Sequence, residues 1–465
     1  MRRRVRLAMA MVFAGCLPAQ HEIEPLVLQQ AKSVEYELSA DQVQDHYLVL
    51  KTGEYGRVKV TQLTINIALT VFDPSGAQVF TVDNNSIGEA EHAELIATVP
   101  GKYRVRVTAS EAHAPTGRYR IDLTDLAPAT ERHKTRIAAA RELSLATATA
   151  RRATREAMLE AVRHFAVARS YWGAAEDPGE EARALYSIAF VYIELGDREK
   201  ALANATEALP LARTARDSQL LGRVFNCIGE VYNNFSDRKA AIDQYMQALP
   251  LLRAAGDRDG EGQVISNLGV AYSRMGEKRR ALELFDQSMQ ILRAVQDRRT
   301  QAEVAGNTGV TYDDLGNYQR ALENHQFELK LRREMGDRAG EGVTQNNIGS
   351  AYSGLAEYQK ALDAYLSALE INRSYDSRWN MAVNLNNIGW VYAMLGDKRH
   401  ALSSYQESLD LSLAIKDPHR TAIAFNNIAN VHSDLGDYRK AIELQIRRPC
   451  SFAGRLAMGM VKLPP

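Results

Sequence analysis

Apolar and polar positions change their rhythm along this chain. Within residues 22–126 they alternate in short stretches. Gln78-Val79-Phe80-Thr81-Val82, Tyr103-Arg104-Val105-Arg106-Val107 and Tyr119-Arg120-Ile121-Asp122-Leu123 send every second side chain to one face, as half-buried strands do. Asp73-Pro74-Ser75-Gly76, Pro100-Gly101 and Thr116-Gly117 separate them, and residues 63–72 are rich in β-branched side chains. Short strands between turn signals, with no helical period among them, predict a small all-β sandwich. Residues 127–178 are Ala- and Arg-rich with helical spacing, and predict helices.

From 179 to 446 the helical pattern itself repeats, with a unit of 40 residues and no gap. A turn position reads Gly196, Ser236, Gly276, Gly316, Ala356, Gly396 and Gly436. Four residues earlier stands a tyrosine, from Tyr192 to Tyr392, with His432 in the last copy. Five after the turn comes alanine, from Ala201 to Ala441. Seven before it stands a small residue: Ala189, Gly229, Gly269, Gly309, Gly349, Gly389 and Ala429. Each unit predicts a first helix (about 182–195 in the first copy), a tight turn, and a second helix (about 199–214). Gly269 and Ala281 fall where antiparallel helices cross, and Tyr272, Leu282, Phe285 and Leu292 fill the space between them. One hairpin cannot bury its apolar face alone, so the units must stack. Six full copies run from 182 to 421, and a partial seventh follows. Residues 127–178 hold a degenerate leading copy, aligned through Ala161, Phe165, Ala168 and Asp177. The pattern breaks at Arg447-Arg448-Pro449-Cys450, leaving 447–465 as a non-repeat tail and an apolar face without a cap.

The order small residue, aromatic, Gly-Asp, Ala-Leu, aromatic, Ala-Leu resembles the tetratricopeptide repeat. The 40-residue unit is similar to the subclass in kinesin light chain and cell-polarity adaptors, without the usual proline closing the second helix. The resemblance implies a mainly α fold, a right-handed α-solenoid whose first helices line a concave groove, and binding of a protein or peptide there. Residues 71–76, 99–107 and 117–123 resemble the bacterial pre-peptidase C-terminal domain, a jelly-roll-like accessory module of secreted proteins. The whole order resembles the N-terminal part of bacterial proteins that continue into a caspase-like CHAT protease. This implies an alternative role as the regulatory or sensor arm of such a protease, with the catalytic domain missing here and the array once longer.

Groove positions follow from the small residue of each first helix. Two before it stand Asn267, Asn307, Asn347, Asn387 and Asn427; three before it stand Asn226, Asn346, Asn386 and Asn426. Asparagine offers an acceptor and two donors, so a column of them can hold the backbone of an extended peptide. Similar columns clamp peptides in the 40-residue relatives. The competing role for the first column is hydrogen bonding within the hairpin or to the next repeat. One residue after the small position, Trp390 is a candidate anchor for a binding hot spot, or else packs on a neighbouring helix. Arg183 and Arg223, six before it, either grip an acidic ligand or form a solvated pair. Asp313 and Asp314 add negative charge mid-groove.

Composition narrows the function further. Lys+Arg and Asp+Glu are both 57, so no basic surplus points to nucleic acid. No phosphate loop, nucleophile elbow or zinc-protease helix occurs, which argues against an enzyme and against a cofactor. Glu89, Glu91, His92 and Glu94 are the one cluster with metal-ligand chemistry; they are expected in an exposed polar loop. The cysteines, Cys16, Cys227 and Cys450, are too scattered for a disulfide framework or a zinc site. Met1-Arg2-Arg3-Arg4-Val5-Arg6 followed by apolar residues 7–15 reads as an export signal over residues 1–19, too short to span a bilayer. Phe13-Ala14-Gly15-Cys16 resembles a bacterial lipobox, with Phe13 where Leu is usual, and implies a lipid anchor on Cys16; ordinary cleavage nearby is the other reading. The expected location is periplasmic or outer-membrane-associated in a bacterium, or cytoplasmic if the start is mis-assigned.

Overall fold

The computed structural model describes residues 26–447 apart from 31, 85–86, 111–113 and 153. Residues 1–25, which include the expected export signal and Cys16, and the residues beyond 447 lie outside the described residues.

Among the described residues nine strands come first: β1 Leu26–Val27, β2 Val34–Leu38, β3 Val43–Leu50, β4 Glu54–Gln62, β5 Ile67–Phe72, β6 Gln78–Val82, β7 Ala90–Ile96, β8 Gly101–Ala109 and β9 Gly117–Pro128. They form two sheets, ordered β1-β3-β8-β5-β6 and β2-β9-β4-β7. Alternation does what it predicted, since Val58, Val60, Leu69, Val71, Val105, Val107 and Ile121 are all fully buried between the sheets. Residues 63–66 do not extend β5. Both Leu63 and Thr64 donate their N–H to the Arg118 carbonyl, which bends the chain there.

Sixteen helices follow among the described residues. α1 (Glu131–Ala150) and α2 (Arg155–Ala174) form the leading hairpin. The first helices of the repeats are α3 (Pro178–Glu194), α5 (Ser218–Asn234), α7 (Arg258–Arg274), α9 (Arg298–Asp314), α11 (Arg338–Gly354), α13 (Arg378–Met394) and α15 (Pro418–Asp434). The second helices are α4 (Arg198–Thr214), α6 (Arg238–Ala255), α8 (Lys278–Val295), α10 (Tyr318–Glu334), α12 (Tyr358–Ser374), α14 (Lys398–Ala414) and α16 (Tyr438–Arg447). From α3 onward every helix starts 20 residues after its predecessor, at Pro178, Arg198, Ser218 and so on. The turn within each hairpin and the turn between hairpins therefore share one geometry. Each contains a left-handed residue, and at most of them an Asp or Asn cap follows. The within-hairpin site is mostly glycine, yet Ser236 and Ala356 hold φ 71° and 58° there.

Helix crossings explain the small residues. A Cβ on Gly229 would lie 2.4 Å from the Tyr245 ring, and one on Gly269 2.6 Å from Phe285. Glycine is thus paired with a ring on the second helix. Alanine appears at Ala189 and Ala429, where the second helix offers Ala205 and Gln445 instead.

In the fourth repeat the ring is His325, which is fully buried. Its Nε2 lies 3.3 Å from Asp313 and its Nδ1 3.6 Å from Glu328. Burial opposes the proton, but Asp313 and Glu328 together outweigh it and hold the imidazole above its ordinary value. A raised folded value gives stability that is complete below the unfolded value and lost as pH climbs through the folded one. Melting curves taken as pH rises above the ordinary imidazole value should show the chain losing stability that a His325→Phe variant keeps. Parallel pH profiles for the two proteins would reject this role.

Candidate functional site

Successive first helices touch one another, α3 with α5, α5 with α7, and so on to α13 with α15. No comparable contact joins successive second helices among the described residues. The first helices are therefore the inner wall, and the positions counted from their small residue face the groove or the seams within it.

The two asparagine columns are bonded to each other. Asn267 donates to Asn226 at 3.0 Å, Asn387 to Asn346 at 3.0 Å, and Asn427 to Asn386 at 2.7 Å. The amide two before the small residue thus reaches back to the amide three before it in the preceding repeat. Where that earlier position is Ser266 or Gly306, no side-chain bond joins Asn307 or Asn347 to the previous helix among the described residues. At Asn226 and Asn267 the ladder is closed: both amides also donate to the Glu230 carboxylate, at 2.8 Å and 3.0 Å. Burial pushes that carboxyl up to about 7 against the two amide bonds. In the later repeats, Asn346 and Asn386 engage their carbonyl oxygens in the ladder, while Asn387 and Asn427 engage an N–H. Amide donors and acceptors alternate along the open wall. Asn426 sits in the same column, half-buried.

The more exposed apolar side chains beside this ladder lie in the C-terminal half. Val310, Val343, Trp390 and Met394 are exposed, at 44%, 45%, 40% and 49%. Trp390 meets Tyr358 edge-on at 6.0 Å between ring centroids. Trp379, near the start of α13, is 52% exposed with Arg420 stacked 3.9 Å over its ring. Sequence reasoning passed over Trp379, although it stands at the inner-wall spacing in α13, the helix that carries Trp390.

The N-terminal half is different because the sandwich sits on it. Arg183 and Arg223 are not a solvated pair; their side chains are 23% and 12% exposed. Arg183 lies 3.1 Å and Arg223 3.6 Å from one carboxylate oxygen of Glu89, on the segment leading into β7. Arg223 also binds Asp257 at 2.9 Å. Gln219 donates to the backbone carbonyl of Gly88 at 2.7 Å. Nor do Glu89, Glu91, His92 and Glu94 form an exposed loop. They run into strand β7 at the junction, with Glu89, Glu91 and Glu94 at 7%, 0% and 5% exposure. Glu94 is neutralised by Arg57 at 3.0 Å and Arg136 at 2.8 Å, and accepts from the Tyr55 hydroxyl at 2.8 Å. Glu91 accepts the Asn84 N–H at 2.7 Å. Burial, then the positive charge of Arg57 and Arg183, pushes His92 well below its ordinary value. The cluster is knitted into the protein by these bonds, and no group of metal ligands exists among the described residues. Asp313 and Asp314 do not load the groove with free charge either: Asp313 faces His325, and Asp314 pairs with Lys278.

A path of amides and apolar anchors along stacked hairpins defines a helical-repeat solenoid with a concave face. The chain belongs to the tetratricopeptide repeat family: models of that repeat match residues 182–214, 220–294, 300–374, 342–414 and 421–447. No curated protein matches it in sequence. Among solved structures, a signal transduction ATPase with a tetratricopeptide repeat sensor from Pyrococcus horikoshii is 15% identical, at a TM-score of 0.51. The match covers 68% of this chain and 52% of that one, so the chain spans about half of that ATPase and shares its fold there. BtubC (BKLC) from P. vanneervenii is 19% identical over 53% of this chain and 93% of its own, with a TM-score of 0.40. A putative kinesin light chain repeat protein from Podosopora anserina is 14% identical over 43% and 97%, with a TM-score of 0.35. No described helix is long and apolar enough to cross a membrane.

Proposed function

We propose that the chain is a protein-interaction scaffold and that the half of its groove which no described residue covers, from α11 to α15, takes an extended peptide. The observation that supports this most is the change of character along the inner wall. Where the sandwich covers it, the wall is charged and its amides are engaged. Where no described residue covers it, amides with spare donors and acceptors lie beside Val343, Trp379, Trp390 and Met394. Amide columns can satisfy a peptide backbone without reading its sequence, and a large aromatic side chain at a groove position suits a binding hot spot. The ligand class is therefore an extended segment with an apolar or aromatic anchor. Export through the leader, with or without a lipid on Cys16, belongs to the same reading and is checked by determining the mature N-terminus.

Panning a random peptide library on the full chain should select such segments. Trp390→Ala is expected to weaken the selected peptides about tenfold while leaving the melting temperature within a few degrees. Unchanged affinity in both Trp390→Ala and Trp379→Ala would remove the groove from consideration.

A further inference from the structure

A sandwich of two open sheets has four edge strands, and among the described residues these are β1, β6, β2 and β7. An edge presents backbone N–H and C=O groups that can pair, and proteins protect it with charge, shortness or a covering element. β1 is two residues long. β2 carries Glu35, bound to Arg120 at 2.5 Å, and Glu37. β7 carries Glu91, His92 and Glu94 and packs against α1. β6 reads Gln78-Val79-Phe80-Thr81-Val82, with no charge and no proline, and Val79 is 46% exposed. Its β-branched and aromatic composition is that of a strand that pairs, and among the described residues only β5 pairs with it.

A groove of about 490 Å³ lies beside that edge, between β6 and α1. Phe80, Ile96 and Ile137 supply its apolar lining. Lys134 and Arg141 stand two turns apart on α1, about 10 Å along the helix, with Ile137 between them. Both cations are exposed. Lys134 pairs with the exposed Glu131, a contact of little worth, and Arg141 forms no ion pair among the described residues. The carboxylates at the groove are already engaged: Glu94 by Arg57 and Arg136, and Asp73 by the N–H groups of Ser75 and Ala77 in its own turn. Just beyond β6 the chain is tied to α1, where Asn84 donates to Ser144 at 3.2 Å and Arg151 binds Asp83 at 3.0 Å. The helix wall therefore reads cation, apolar, cation alongside a strand edge of fixed position.

We propose that the outer edge of β6 and this face of α1 form a strand-addition site for an extended segment of a partner protein, with acidic, apolar and acidic side chains at alternate positions. The segment's backbone pairs with β6, as in other recognition by β-augmentation. Residues i, i+2 and i+4 of a strand share a face and span about 13 Å, a distance that long side chains match to the spacing of Lys134 and Arg141. The site belongs to the sandwich and the leading hairpin, and it goes beyond the groove reading of the later repeats.

The probe is a fluorescein-labelled peptide, Thr-Glu-Thr-Val-Thr-Glu-Thr, which reads the same in both directions and so suits either strand polarity. Anisotropy with the full chain should show binding, and the charge-inverted Thr-Lys-Thr-Val-Thr-Lys-Thr should not bind. Arg141→Glu is expected to weaken the first peptide about tenfold, and Lys134→Glu with Arg141→Glu should exchange the preference between the two peptides. Both side chains are exposed, so these variants keep the fold. Backbone pairing is read separately. The N–H groups of alternate residues point to one edge of a strand, so methylating the amide nitrogens of either the Glu-Val-Glu set or the Thr set should abolish binding for one set only. Equal binding by both methylated peptides overturns strand addition, as does unaltered affinity in the double variant or no binding of the first peptide by the unaltered chain. Self-association in sedimentation that excludes the probe and is lost in Val79→Asp would place a second copy of the chain at β6 and overturn the proposal of a partner segment. Trp390→Ala must leave the probe's affinity unchanged; a loss there assigns the peptide to the solenoid groove, overturning this site and leaving that reading intact.

Discussion

Arg136→Ala is expected to destabilise the full chain by about 3 kcal/mol, the lower part of the range for breaking a buried ion pair. Arg136 is 7% exposed and donates twice to Glu94, at 2.8 Å and 3.2 Å. It also binds Asp177, the N-cap of α3, and lies 5.1 Å over the Trp172 ring. One side chain therefore ties β7, α1, α2 and the first repeat together. The loss stays near the lower bound because Glu94 keeps Arg57 and the Tyr55 hydroxyl. Urea denaturation of the variant should show the sandwich releasing before the solenoid, because the junction then keeps only smaller contacts such as Arg183 on Glu89, Arg151 on Asp83 and Tyr55 stacked on His133. A loss below about 1 kcal/mol with a single transition would mean that the junction does not depend on this residue.

The second large effect concerns a helix crossing. Phe285→Ala should cost about 3–5 kcal/mol, as expected for a buried aromatic ring removed from a close-packed interior. Gly269→Ala alone should cost about 1–3 kcal/mol, because its Cβ would press on that ring at 2.6 Å. In the Phe285→Ala background the sign reverses. The new methyl enters the vacated space, and alanine favours the helix over glycine by about 1 kcal/mol. The double variant then reproduces the Ala189–Ala205 crossing of the first repeat. A double-mutant cycle by denaturation measures the coupling. Additive costs would show that glycine serves some other purpose there.

Much of this architecture could be read from residue order because its causes are local and repeated. The 40-residue unit, the glycine turn and the ring facing the small residue each satisfy one steric condition again and again along the stack. The second turn of each unit escaped notice because its left-handed position is glycine only at Gly256 and Gly336; Arg216, Gln296, Asp376 and Lys416 stand there elsewhere. The asparagine columns were visible as columns, but their bonding to one another was not, since it joins residues 41 apart on neighbouring helices. Charged residues misled most. Glu89, Arg183 and Arg223 look like surface residues one at a time, and only the docking of the sandwich brings them together. Pairing between distant segments leaves no period to detect.

The sandwich spans more than one repeat, reaching α3, α5 and α7 through Glu89, Gly88 and their partners. In a stack whose hairpins touch only their neighbours, small rotations at each seam add up, and the whole behaves as a spring. A rigid body laid across several coils at one end removes that freedom there. Stretching and winding then fall on the coils beyond α9, the same ones whose wall no described residue covers. On the groove reading proposed above, the curvature of that wall would adjust to the girth of a bound segment, while the splinted end keeps its shape and gives the spring a fixed point to pull against.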